Sequence, residues 1–354
     1  MARTRVLVVE DSGTVRALLT AIIEADPDLE LVGAAGDGRQ AIDMCQKLRP
    51  DVVTMDMMLP VMSGLAATEY IMAHCPTPIL VVSSSFNRGE LMKMYDALAA
   101  GAVDVLEKPD GRERPGEWER RFLATLKIVA RIRVVTRHRP RARANDPHDR
   151  PVHWDVAVPC DPIDVVAIGA STGGPSAIVD VLRALPVGMM TPILLVLHIN
   201  PQFGAAFADW LDAQTPRRAA FARDGDRVAD GAGRVIMAPP DQHLVVRDRR
   251  VRLTNDPERQ SCRPSVDVLF ESIAREYGPA AVGCLLTGMG RDGASGLLAM
   301  RQAGATTIAQ DQVTSIVYGM PRAAIEMGAA VRVLPLPEIG PAIGDLTRLA
   351  ERRP

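Results

Sequence analysis

Gly169-Ala170-Ser171-Thr172-Gly173-Gly174-Pro175 follows the apolar stretch Val165 to Ile168. A serine set between glycines at the tip of a strand-to-helix turn has the means to attack a carbonyl. The Gly-x-Ser-x-Gly spacing relieves a sharp turn and leaves room for a substrate beside the free amides of the next helix. Turns of this kind also cradle phosphates or dinucleotides, or simply reverse the chain, so Ser171 needs a base before it counts as a nucleophile. His198 directly follows the apolar run Ile193 to Leu197, and His243, in Pro239-Pro240-Asp241-Gln242-His243, competes with it. An imidazole base works better when a carboxylate fixes its tautomer. Two aspartates follow apolar strands: Asp292, in Leu286-Thr287-Gly288-Met289-Gly290-Arg291-Asp292-Gly293, and Asp311. Spacing does not choose between them. The glycine loop favours Asp292, because its amides near Met289 could also serve a developing oxyanion.

The N-terminal half carries a different set. Glu10 and Asp11, Asp56, Ser83 and Lys108 each follow a short apolar run. In a parallel sheet these positions converge on one rim. Three carboxylates in one cleft repel one another unless a cation lies among them, and hard oxygen ligands suit Mg2+, which accepts phosphate as a further ligand. A lysine and a hydroxyl beside them complete a phosphate cradle.

The elements that must position these residues are legible as apolar runs alternating with helix-length segments. In the first half, strands are expected at Arg5–Val9, Leu31–Ala35, Asp51–Met55, Pro78–Val82 and Val103–Leu106. In the second they are expected at Asp164–Ile168, Pro192–Leu197, Arg234–Met237, Ala281–Leu286 and Thr306–Ala309. The alternation predicts an α/β chain with two doubly wound parallel sheets, which bind ligands at the carboxyl ends of their strands. Ser12 is placed to cap the first helix, with Val15, Leu18, Leu19 and Ile22 at helical spacing to cover the sheet. With 354 residues and a formal net charge of −2, the chain suffices for about two domains and its overall charge calls for no nucleic acid. Five widely spaced cysteines without a C-x-x-C pair suggest neither a disulfide framework nor a zinc site. The apolar run after the N-terminus is too short for a secretory signal and no stretch is long enough to span a bilayer, so a cytoplasmic protein without membrane insertion is expected. Six arginines between Arg131 and Arg143, followed by Pro147 and Pro151, read as a solvated tether, since aromatic residues for stacking on bases are absent.

Residues 1 to about 125 resemble a response-regulator receiver domain, a flavodoxin-like fold, through Glu10-Asp11, Asp56, Ser83 and Lys108-Pro109 together with Met58-Leu59-Pro60 and Ser63-Gly64. The resemblance implies that Asp56 accepts a phosphoryl group, that Glu10, Asp11 and Asp56 hold Mg2+, and that Ser83 and Lys108 bind the phosphoryl oxygens. Val105 stands where the family carries an aromatic residue three positions before the lysine, so the usual aromatic switch has no side chain to act through.

The C-terminal half is similar to the catalytic domain of the CheB family of chemotaxis protein-glutamate methylesterases. Its Rossmann-like, three-layer resemblance rests on Gly169 to Gly174, His198, Ala238-Pro239, His243, Arg263-Pro264-Ser265-Val266-Asp267, Thr287 to Gly293 and Tyr318-Gly319-Met320-Pro321. It implies a triad of Ser171, His198 and Asp292, with Thr172 and Met289 at the oxyanion and no cofactor for hydrolysis. It further implies demethylation, with glutamine deamidation, of methyl-accepting chemotaxis receptors, and phosphorylation by a chemotaxis histidine kinase. The expected domains are a receiver over 1–126, a helix end and linker over 127–161, and a catalytic domain over 162–354 of a monomer. A DNA-binding output is disfavoured because no compact helix-turn-helix follows the receiver. A dinucleotide site is disfavoured because G-x-G-x-x-G is incomplete and leaves His198 and the Asp292 loop without a task.

Overall fold

A computed structural model describes residues 3–84, 88–109, 114, 116–132, 134, 162–199 and 201–351. The chain divides into two compact units, Met1–Ala157 and Val158–Pro354. Of the linker expected over 127–161, a helix occupies the start as far as Val129, and residues 135–161 lie outside the described residues. No helix among the described residues is long and apolar enough to cross a membrane.

In the first unit, β1 (Thr4–Val9), α1 (Gly13–Ala25), β2 (Leu29–Ala35), α2 (Gly38–Leu48), β3 (Val52–Met55), α3 (Gly64–His74), β4 (Ile79–Ser83), α4 (Arg88–Ala99), β5 (Asp104–Glu107) and α5 (Glu117–Val129) alternate strictly. The strands form a parallel sheet in the order β2-β1-β3-β4-β5. Every residue of β3 and β4 is buried, which is why these central strands read as near-continuous apolar runs, broken by Thr54 and ended by Ser83, rather than as alternation. Ser12, Asp37 and Ser63 cap α1, α2 and α3 by accepting from amides of the first turn, which satisfies donors that lack an intrahelical partner. The face of α1 departs from expectation. Leu19 and Ile23 are buried, whereas Leu18 is 38 % exposed. Leu18/Ile22 and Leu19/Ile23 are equally good i,i+4 pairs, and the roll of the helix on its sheet selects the second.

The second unit runs β6 (Val165–Ala170), α6 (Gly174–Ala184), β7 (Ile193–Leu197), α7 (Pro201–Gln214), β8 (Ala219–Phe221), β9 (Val235–Met237), β10 (His243–Arg247), β11 (Arg250–Thr254), α8 (Val266–Tyr277), β12 (Ala281–Leu285), α9 (Ala294–Gln302), β13 (Thr306–Gln310), α10 (Met320–Glu326), β14 (Arg332–Leu334) and α11 (Leu336–Glu351). Seven parallel strands are ordered β14-β13-β12-β6-β7-β9-β8, and β10-β11 form a separate antiparallel hairpin. The hydrophobic core gathers Val165, Ala167, Leu194 and Val196 of the sheet with Leu269, Phe270 and Ile273 of α8 and Leu297 and Met300 of α9.

This sheet is wider than the five strands expected. The edge strands β8 and β14 have three residues each, too few for an apolar run to stand out. The hairpin escapes notice for another reason: its two-residue turn, Asp248-Arg249, takes positive φ at both positions (54° and 57°). Such turns are normally signalled by Asn-Gly or Asp-Gly, which this chain lacks there.

Candidate functional site

Strand order reverses between β6 and β12, since later strands are added outward on both sides of that pair. A crevice opens beyond the carboxyl ends of the strands at such a point. Ser171 follows β6, His198 follows β7 and Asp292 lies in the loop after β12, so the three candidates come from three adjacent strands.

Backbone pairing holds the serine turn. The Ser171 amide donates to the Thr287 carbonyl at 3.0 Å, and the Ser171 carbonyl accepts from the Gly174 amide at 2.6 Å. Gly173 takes φ +75°, a left-handed conformation that glycine adopts at little cost. A Cβ on Gly288 would stand 2.8 Å from the Ser171 Cβ and 2.2 Å from the Met320 sulfur, so only glycine lets the loop after β12 pass against the serine. Among the described residues, the amides of Thr172 and Met289 donate to no protein acceptor. Met289 is 54 % exposed. Free amides of this kind suit a developing oxyanion.

His198 is fixed at both ends. Its amide donates to the Ala170 carbonyl at 3.0 Å, and its Nε2 lies 2.8 Å from Asp292 Oδ2. Its Nδ1 faces the Cys262 Sγ at 3.7 Å. The ring is therefore turned opposite to that of serine proteases, in which the carboxylate takes Nδ1, and Nδ1 is the nitrogen left to receive a proton. No hydrogen bond joins Ser171 to His198 among the described residues; catalytic contacts of this type commonly tighten when substrate binds. Burial opposes charge on the ring, but Asp292 at Nε2 and Cys262 at Nδ1 outweigh it and hold the His198 pKa up at about 9.

Asp292 is buried and surrounded by donors. Ser265 Oγ donates to Oδ1 at 2.7 Å, the Val266 amide to Oδ2 at 2.7 Å and the Asp267 amide to Oδ1 at 3.1 Å. The amides belong to the first turn of α8, whose exposed N–H groups and dipole favour an anion. Burial alone would raise the pKa of Asp292, but the His198 ring, Ser265 and the α8 backbone prevail and lower it. Ser265 also caps α8 through Val268.

The competing candidates are engaged elsewhere. His243 is fully buried. Its Nδ1 accepts from the Ser265 amide at 3.2 Å and its Nε2 faces the Pro257 carbonyl at 3.3 Å, so it braces the loop that carries Ser265. Asp311 accepts from the amide and hydroxyl of Thr314, at 2.9 Å and 2.6 Å. Cys262 is the site residue that sequence reasoning missed. It precedes Ser265 by three positions in an irregular loop, and no local pattern signals its approach to His198.

At the rim of the first sheet, Asp56 is buried at the end of β3. Its Oδ1 accepts from Ser83 Oγ at 3.0 Å, and its Oδ2 lies 2.9 Å from Lys108 Nζ. Lys108 also contacts Glu10, 2.8 Å from Oε2. Ligand oxygens of Glu10, Asp11 and Asp56 all lie within 4.8 Å of one another. Burial raises the pKa of Glu10, and the neighbouring Asp56 charge adds to that against the pull of Lys108. A crowded oxygen set under like-charge strain fits a hard divalent cation. Met58, in the turn after Asp56, is 45 % exposed.

The CheB methylesterase family model matches residues 166–343, and the response regulator receiver domain model matches residues 6–114. A protein-glutamate methylesterase/protein-glutamine glutaminase of Anaeromyxobacter dehalogenans is 43 % identical over 346 residues, covering 97 % of each chain. One of Pseudomonas aeruginosa is 43 % identical over 343 residues, covering 96 % of this chain and 95 % of that one. The crystal structure of the Thermotoga maritima CheB methylesterase catalytic domain is 35 % identical and covers 52 % of this chain and 98 % of its own, with a TM-score of 0.49. The chain thus belongs to the CheB methylesterase family, with a response-regulator receiver domain ahead of the catalytic domain.

Proposed function

We propose that this methylesterase hydrolyses glutamate methyl esters on methyl-accepting chemotaxis receptors through Ser171, His198 and Asp292, under control of phosphorylation at Asp56. The observation that carries the triad is the 2.8 Å contact between His198 Nε2 and the buried Asp292, made where the sheet reverses and one strand away from Ser171. Ser171 Oγ attacks the ester carbonyl while His198 Nδ1 takes its proton. The oxyanion meets the amides of Thr172 and Met289. Methanol leaves with the proton returned by His198, and water cleaves the glutamyl-enzyme by the same route. Asp292 keeps Nε2–H oriented and stabilises the imidazolium. Glutamine enters the same site, but its leaving amine must be protonated, so deamidation is slower.

The receiver spans 1–126, a helix end and Arg/Pro-rich linker 127–161 and the esterase 162–354 of a cytoplasmic monomer. A chemotaxis histidine kinase phosphorylates Asp56, with Mg2+ held by Glu10, Asp11 and Asp56. When bound, the ion neutralises charge on the transferred phosphoryl group. Ser83 then donates to a phosphoryl oxygen, and Lys108 moves from the Asp56 carboxylate to the added charge. The unphosphorylated receiver inhibits the esterase, and phosphorylation relieves that inhibition.

The test is methanol release from methylated receptor membranes. The intact chain should release methanol, a small-molecule phosphodonor should raise the rate, and Ser171→Ala should lower it on the order of 10⁶-fold, as loss of the serine does in a protease triad. Release that survives Ser171→Ala removes the nucleophile assignment. A chain lacking residues 1–150 that is no faster than the unphosphorylated whole removes inhibition by the receiver.

A further inference from the structure

The hydrolytic cycle gives the Cys262 thiol no task, although its sulfur lies 3.7 Å from the nitrogen that must receive the serine proton. The two groups border a cavity of about 290 Å³, also lined by Ile199, Ser261, Arg263 and Pro264. Ligand atoms of His198, Cys262 and Asp292 lie within 4.8 Å of one another. We infer that Cys262 and His198 capture a thiophilic divalent ion, Zn2+ in the first instance, and that the captured ion silences the esterase.

The spacing suits the ion without rearrangement. Zinc binds thiolate sulfur at about 2.3 Å and imidazole nitrogen at about 2.0–2.1 Å. Ligands 3.7 Å apart then subtend about 115° at the metal, close to the tetrahedral angle it prefers. The other ring nitrogen is already held by a carboxylate, Asp292, at 2.8 Å. That is the outer partner a metal-binding histidine normally has, and it orients the ring and makes the free nitrogen more basic. The Cys262 thiol loses its proton to solvent as its sulfur binds, His198 contributes the Nδ1 lone pair, and the cavity has room for waters to complete the coordination. Soft sulfur and imidazole nitrogen select zinc or a similar ion over Mg2+, which keeps to the oxygen cluster of the first unit.

Ion capture does not depend on the proposed triad. The silencing does, because it follows only if Nδ1 is the base. The full-length chain is titrated with Co2+ as a spectroscopic stand-in, with Mg2+ in excess to occupy the carboxylates. Wild type should develop a thiolate-to-cobalt charge-transfer band at one equivalent, which Zn2+ then bleaches. Cys262→Ser should lack that band, and Ser171→Ala should keep it despite being inactive. Asp292→Asn should weaken binding on the order of 10–100-fold, the usual cost of losing such an outer partner. Methanol release by wild type should fall over the same Zn2+ range, while the ratio of rates with and without Zn2+ should stay near one in Cys262→Ser. No band in wild type, or an equal band in Cys262→Ser and Cys262→Ala, overturns the site. A band at full occupancy with unchanged release overturns the silencing. A wild type that releases no methanol even without Zn2+ counts against the esterase reading, and the band still decides the site.

Discussion

Asp56 and Asp292 are both buried aspartates after strands of parallel sheets, yet their surroundings solve opposite problems. Around Asp56 the charge is unbalanced: Glu10 and Asp11 crowd it, Lys108 is shared with Glu10, and the pKa of Glu10 is raised by burial first and by the Asp56 charge second. Around Asp292 every hydrogen-bond partner is a donor: a serine hydroxyl, two amides of the α8 N-terminus and the His198 ring. The first arrangement favours arrival of a cation and phosphoryl chemistry. The second holds a carboxylate ionised and still, so that it orients a neighbour without reacting. One topology serves both, because a strand end in a parallel sheet fixes position while the flanking loops supply the charge.

The sharpest break in this comparison is to neutralise each aspartate. Asp292→Asn should cost on the order of 10⁴ in kcat, the size of the same change in a serine protease triad, whereas Asp56→Asn should leave basal methanol release intact. A near-normal rate for Asp292→Asn would mean that its donor cage serves folding alone. Next in size is Ser265→Ala, which leaves Asp292 in place but removes one charge-assisted hydrogen bond. Such bonds contribute about 1.5–3 kcal/mol, so kcat should fall on the order of 10–100-fold. Thermal unfolding should register loss of the α8 cap separately, at about 1 kcal/mol.

Asp56→Asn should then abolish the response to phosphodonor, a rise of about tenfold or about 1.4 kcal/mol, well below what a complete population switch needs. A phosphodonor response preserved in that variant would place the acceptor elsewhere. The remaining effect is in pH dependence. The base works only when neutral, so kcat should climb as pH rises through the raised pKa of His198, about 9, and this limb should move to lower pH in Asp292→Asn. The linked stability has the opposite slope. Because the folded pKa exceeds the ordinary value of 6.5, the contribution is complete below about pH 6.5 and is lost as pH rises through about 9. A kcat limb that stays at ordinary histidine pH would show that Asp292 does not charge the ring.

Legibility in the sequence followed burial. The central strands of both sheets are buried on both faces and announce themselves as apolar runs, and the residues directly after them, Ser171, His198, Asp56 and Ser83, were readable as strand-end chemistry. In several short or partly buried elements the pattern failed. The three-residue strands β8 and β14 carry no usable period and the Asp248-Arg249 turn no turn signal, and on α1 Leu19 was buried as expected while Ile23 took the place of Leu18 and Ile22.

What the sequence by itself determined is the alternation of strand and helix and the chemical types at strand ends, since both are local: periodicity comes from backbone geometry, and a polar residue after an apolar run must lie at a rim. What only the tertiary structure decided is which distant groups meet. The sequence offered two histidines and two aspartates for the base and its orienter, His198 or His243 and Asp292 or Asp311. The order of strands makes β6, β7 and β12 neighbours, which brings His198 to Asp292 and leaves His243 to brace Ser265 and Asp311 to hold Thr314. Cys262 reached the ring the same way, through a loop whose path is set by the α8 cap and the Asp292 cage. Contacts across 94 residues, as between His198 and Asp292, depend on sheet order and packing, which no short stretch of sequence encodes.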